Sequence, residues 1–163
     1  MRNFEYAGKS WAIPAIALAE VKDEVYALLP VCEIKGGWND GVALKQLAAT
    51  GCSLADALQT SSVVVKTLDG KVLQRKVDYD FTDKWGVIGR IAGGAVGETA
   101  PVKISYAYLP LRLDSLIETV DGKLEYRTGN YYSFCPQLPA VKAGEKRLVN
   151  VYNDALGFEV LPV

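Results

Sequence analysis

The stretch from Ser62 to Gly129 constrains the fold more than any other part of the chain. It opens on a β-branched run, Val63-Val64-Val65, turns at Leu68-Asp69-Gly70-Lys71 and resumes with Val72-Leu73-Gln74-Arg75. Asp78-Tyr79-Asp80-Phe81 and Trp85 to Ile91 come next, then a glycine-rich gap, Val102 to Tyr108, Leu113 to Val120, a second Asp121-Gly122 turn and Lys123 to Arg127. Val, Ile and Tyr fit a pleated, half-covered surface, and Asp-Gly supplies the positive φ of a tight hairpin turn. Successive antiparallel strands result from this alternation, and with them a β-sandwich or a barrel-like sheet.

The N-terminal third reads differently. From Pro14 the spacing of Ile16, Leu18, Ala19, Val21, Val25, Leu28 and Leu29 partly suits a helix that begins at a proline, while Val25 to Ile34 suits a strand equally well. Gly36 to Gly41 is a loop by composition, with Asn39 or Asp40 placed to cap the next segment. Val42, Leu44, Leu47 and Ala48, stopped by Gly51, predict a short amphipathic helix, and Ser53 to Leu58 one further helical turn. Beyond Gly129 the aromatic and proline-rich run from Asn130 to Pro139 excludes a central strand. Leu148 to Tyr152 predicts a last strand, and Phe158 to Val163 a short extended tail. The expected class is α+β, predominantly antiparallel β, with one or two short helices in the N-terminal third. No repeat or linker divides the sequence, so residues 1–163 are expected to form a single β-rich domain, mixed over 1–60 and an antiparallel core over 62–153.

At 163 residues and 50% apolar content the chain can fill one substantial core. Eighteen Lys and Arg against 19 Asp and Glu give a formal net charge of -1, and no basic stripe is present, so nucleic acid is not an expected partner. The sequence contains no histidine. Ser-His or Cys-His activation and a histidine-bound catalytic zinc are thereby excluded, while carboxylate or lysine catalysis would need tuned pKa values. Cys32, Cys52 and Cys135 are far apart and form no C-x-x-C pair, which suits three reduced, mostly buried thiols, or less well a single bridge with one thiol left over. The apolar patch from Trp11 to Ala19 contains Pro14 and runs into Glu20, Lys22, Asp23 and Glu24. It reads neither as a secretory leader nor as a membrane span. No cofactor, metal site or membrane insertion is expected.

Two fragments imitate blocks of SGNH (GDSL-type) hydrolases. Gly37-Trp38-Asn39-Asp40 matches G-x-N-D, and Leu113-Asp114-Ser115-Leu116 approximates G-D-S-L. Their order is reversed, Leu113 stands where the serine block begins with glycine, and the required histidine cannot exist. A serine without a base is not activated. Both fragments are chance matches, the first a turn and the second part of a strand. Asp78, Asp80 and Asp83 lack the ligand number and glycine turn of a calcium loop and, beside Arg75, Lys76 and Lys84, read as a solvated edge with ion pairs. The glycines from Gly89 to Gly97 join strand to strand without the helix that phosphate binding uses. Trp85, Tyr106, Tyr108, Tyr126, Tyr131 and Tyr132 are candidates for a partner or glycan contact, against the commoner use of tyrosine in cores and interfaces. Arg112 and Asp114 stand at alternate positions, on one face of a strand, and form a candidate structural pair.

Read as one string, the C-terminal half carries a resemblance. Asp78-Tyr79, Trp85 to Ile91, Pro101 to Tyr106, Arg112 to Leu116, Asp121 to Leu124, Gly129, Pro136 to Pro139 and Leu148 to Tyr152 occur in that order. The succession resembles the non-catalytic β-rich region that precedes the catalytic domain in some bacterial SGNH-type esterases, and similar strings occur in bacteriophage tail and baseplate proteins. The resemblance implies a module that positions something else, an esterase domain or a fibre tip; the missing histidine, near-zero net charge and aromatic strands point to work through protein contacts, as an oligomer. It carries no catalytic residue to this chain. The alternative, from the aromatic count, is a carbohydrate-binding module.

Overall fold

The computed structural model describes residues 2–35, 39–49 and 52–163, for Ala49, Cys52 and Ser53 in their backbone only. Strands run throughout: β1 (Arg2–Tyr6), β2 (Lys9–Ile13), β3 (Ala19–Tyr26), β4 (Val42–Ala43), β5 (Ala48–Ala49), β6 (Cys52–Ser53), β7 (Leu58–Thr67) and β8 (Tyr79–Phe81). They continue as β9 (Val87–Arg90), β10 (Val102–Tyr108), β11 (Leu111–Glu118), β12 (Leu124–Arg127), β13 (Tyr131–Tyr132), β14 (Lys146–Asn153) and β15 (Phe158–Pro162). All their pairings are antiparallel, in several open sheets, none closed. The mostly-β class stands.

No helix occurs among the described residues, which corrects the expectation of one or two in the N-terminal third. Strand β3 occupies the first of these stretches. Its inward positions are Ala19, Val21, Glu24 and Tyr26, because the register against β10 slips between Val21 and Glu24, where Asp23 takes φ 49°. A bulge shifts the two-residue alternation by one, so Glu24 and Tyr26 turn inward while Leu18, Val25 and Leu28 of the expected apolar stripe stand exposed. In the second stretch, Leu47 N–H and Ala48 N–H both donate to the Leu44 carbonyl, at 2.9 and 3.0 Å, forming one turn that does not continue. Cross-chain bonds take the backbone instead: Leu44 N–H donates to Gly86 O and Leu54 N–H to Leu47 O. Asp56 at φ 55° rules out a helical turn after Ser53. Gly51 and the Gly36 to Trp38 part of the loop lie outside the described residues.

The chain forms two compact units: Met1–Ala17 with Pro110–Val163 (unit 1), and Leu18–Leu109 (unit 2). In unit 1 the order β12-β11-β14-β15 makes a sheet, with β13 also on β11, and β1-β2 is a hairpin. Phe4, Trp11 and Ile13 of the hairpin pack against Leu116, Val149 and Val151 of the sheet. In unit 2, β10 lies between β3 and β7, and β9 between β4 and β8. The core of unit 2 includes Leu29, Leu44, Leu47, Val65, Phe81, Ile88, Val102 and Ile104.

Both Asp-Gly turns use one five-residue design, Thr67 to Lys71 in unit 2 and Thr119 to Lys123 in unit 1. In each, glycine N–H donates to the threonine carbonyl, threonine N–H to the lysine carbonyl, and the threonine hydroxyl to the aspartate. Gly70 and Gly122 sit at φ 96° and 77°, which the hairpin requires and glycine alone adopts without strain.

Candidate functional site

Strands β12 and β13 lie one after the other along β11: Arg127 pairs with Ser115, Tyr131 with Arg112 and Tyr132 with Leu111. Between them the chain bulges, and Gly129 passes so close to β11 that a Cβ there would stand 2.1 Å from the Leu113 carbonyl oxygen. Asp114 holds the bulge, its Oδ1 accepting from Gly129 N–H at 2.9 Å. The same carboxylate takes a bidentate bond from Arg112, Nε to Oδ1 at 2.8 Å and Nη2 to Oδ2 at 2.9 Å. Its Oδ2 also accepts from the Tyr126 hydroxyl at 2.7 Å and from Asn153 Nδ2 at 3.0 Å. The remaining guanidinium N–H groups reach Pro14 O, Ala15 O and the Tyr131 hydroxyl, so all five donors of Arg112 are engaged. With side chains 2% and 0% exposed, Arg112 and Asp114 form a buried, satisfied network.

The other face of the same sheet carries a cleft. Glu125 and Arg127 point there, since they pair with Ile117 and Ser115 and alternate with Tyr126. Residues 137–145 cross this face as a strap, held by Arg127 Nη1 to Ala140 O at 2.7 Å and Arg147 Nη2 to Pro139 O at 2.6 Å. Arg127 also bonds Glu125 and Glu145 bidentately, at 2.9 to 3.1 Å, so its five donors too are all engaged. Those bonds, with a further one from Lys142 N–H, pull the Glu145 carboxyl down to about 2. Between strap and bulge lies a cavity of about 560 Å³. One wall carries Thr128, Asn130 and Tyr132, and the other Gln137, Leu138, Pro139 and Lys142.

Of the aromatic candidates, Tyr132 alone lines this cleft. Tyr131, its neighbour in β13, is on the Arg112 side, and Tyr126 packs its ring 6.0 Å from Phe4. Burial and the bond to Asp114 raise the Tyr126 phenol above its ordinary pKa. Trp85, Tyr106 and Tyr108 belong to unit 2. Trp85 is half-buried under the Lys84 ammonium, and Tyr106 and Tyr108 are 2% and 7% exposed with ring centres 6.2 Å apart. Tyr106 and Tyr26 both donate to Glu24 Oε2, at 3.0 and 2.6 Å, and accept from Gln46 N–H and Lys45 N–H. This cluster pins the turn after β4 to the sheet. Burial is the first cause of the raised pKa of both phenols.

The remaining motifs make contacts within the fold. Ser115 is buried in β11 and its hydroxyl donates to Asn150 Oδ1. Gly37 and Trp38 lie outside the described residues, while Asn39 is buried, donates to Val87 O and accepts from Gly41 N–H. Asp78 accepts from Gln74 and Ala95 N–H, fastening the glycine-rich loop, and Arg75 bridges Asp80 and Asp83. Cys32 is buried and free; Cys135, expected in the interior, is exposed and free. The side chain of Cys52 lies outside the described residues. No group of His, Cys, Asp or Glu able to hold a metal occurs among the described residues, and no helix there is long and apolar enough to cross a membrane.

Sequence reasoning missed Arg127, Glu145, Asn130, Gln137 and Lys142. Glu125 and Arg127 at alternate strand positions carry a signal of pairing, but nothing in the sequence joins them to Glu145. Compared with family models, curated proteins and solved structures, the chain finds no match.

Proposed function

We propose that the chain is a non-catalytic module that works through protein contacts, self-association among them, either as a phage tail or baseplate component or as the region ahead of an SGNH-type esterase domain. In this reading unit 1 is a small β-sandwich whose last strand is the contact. The observation that supports it is β15, which among the described residues is a sheet edge paired with β14 alone. Phe158 and Val160 stand opposite the buried Asn153 and Val151, on the core-facing side of the sheet, yet are 36% and 42% exposed. An open edge flanked by apolar side chains is a template for another strand. A second copy, antiparallel about Val160, extends the sheet and covers both residues. Light scattering coupled to size exclusion tests this: a dimer or larger species is expected, reduced to monomer by Val160→Lys. A monodisperse monomer of the parent chain at high concentration overturns it.

A further inference from the structure

Independently of the assembly reading, we propose that the cleft between the 137–145 strap and the bulge at Gly129 binds a neutral oligosaccharide. Its floor is closed to anions. Arg127 is the guanidinium there, and all five of its N–H groups are directed at Glu125, Glu145 and Ala140 O. A phosphate or carboxylate would find no free fork. Arg127 and Lys142 of the lining are matched by Glu125 and by Glu145, which stands just behind the lining on Arg127.

Apart from Lys142, the rest of the lining carries no charge. Thr128, Asn130 and Tyr132 have no side-chain hydrogen bond among the described residues, and Gln137 uses only its Nε2, toward Cys135 O at 3.1 Å. These groups include donors, acceptors and hydroxyls that are both, which is what sugar hydroxyls, each a donor and an acceptor, pair with. The Tyr132 ring, Leu138 and Pro139 add apolar surface in the same cavity, against which the C–H face of a sugar ring can lie. A volume of about 560 Å³ is within the range of small-ligand sites.

An array of neutral oligosaccharides of glucose, galactose, mannose and N-acetylglucosamine tests the proposal, printed beside uronate- and sulfate-bearing glycans and a set of linear peptides. It is probed with the full chain, Asn130→Ala and Gln137→Ala. Both residues are exposed or half-exposed at the surface, so their substitution leaves the thermal unfolding curve in place. Retention of the parent on at least one neutral glycan is expected, weakened roughly five- to tenfold in each variant, the effect of losing one hydrogen bond. No retention, retention confined to acidic glycans or to peptides, or neutral-glycan binding unchanged in both variants overturns it.

Discussion

Asp114 is where the polar interior of unit 1 converges. Its two oxygens accept from Arg112, Tyr126, Gly129 and Asn153, and through Arg112 they reach the carbonyls of Pro14 and Ala15. Removing it leaves a guanidinium, 2% exposed, without its counter-charge. Breaking a buried pair in this way costs about 3–5 kcal/mol. For a chain of this size each kcal/mol lowers Tm by about 2–4 °C. Asp114→Ala is therefore expected to lower Tm by roughly 6–20 °C, on the same scaling. Asp83, 65% exposed and bound to Arg75, makes a surface pair of about 0–1 kcal/mol, and Asp83→Ala is expected to shift the curve little. Thermal unfolding followed by circular dichroism compares the two; superimposable Asp114→Ala and parent curves would show that the pair recognises something outside the fold. The alternate placement of Arg112 and Asp114 is legible in the sequence. Their partners are not, because Pro14, Gly129 and Asn153 come from three distant segments whose meeting depends on the register of the sheet.

At the scale of elements, two glycines of unit 1 limit their strands for different reasons. Gly122 has φ 77° and open space around a would-be Cβ, so Gly122→Ala meets only the left-handed backbone cost of about 1–2 kcal/mol. At Gly129 the obstacle is the Leu113 carbonyl at 2.1 Å, with the Gln137 carbonyl at 3.2 Å. Backbone atoms on both sides cannot turn away as a side-chain tip can. Gly129→Ala must push β11 and the strap apart and loosen the N–H bond to Asp114. It is expected to lower the urea midpoint by more than Gly122→Ala does, and equal midpoints would sink this account of the bulge. Strands were largely legible: the tyrosine and β-branched runs became β10, β11 and β12, and both Asp-Gly pairs became tight turns, though Val72 to Arg75 after the first makes isolated bridges in place of the expected strand. The bulged strand β3 was not, since a local register shift turns Glu24 and Tyr26 inward and leaves Val25 exposed, against the apolar pattern of the sequence. The cleft was least legible of all. Its strap has no period, and its floor depends on Glu125, Arg127 and Glu145 meeting across a loop.

At the scale of the molecule, unit 2 is an insertion into unit 1, which is built from both ends of the chain. The insertion begins and ends on neighbouring strands. Ala19 of β3 is the register partner of Tyr108 of β10, so these Cα atoms are about 4.5–5.5 Å apart. Unit 1 has its own core in Phe4, Trp11, Ile13, Leu116, Val149 and Val151, and Arg112 ties the end of the first segment to β11 through Pro14 O and Ala15 O. A chain in which Leu18–Leu109 is replaced by a Gly-Ser linker of about six residues, reaching roughly 13 Å, is therefore expected to fold. Tryptophan provides the readout, since Trp38 and Trp85 leave with unit 2 and Trp11, 9% exposed, remains alone. Blue-shifted emission that turns red in one cooperative urea transition is the expected result. Red-shifted emission without a transition would mean that the hairpin and sheet of unit 1 need unit 2 to assemble, and the insertion reading would fail.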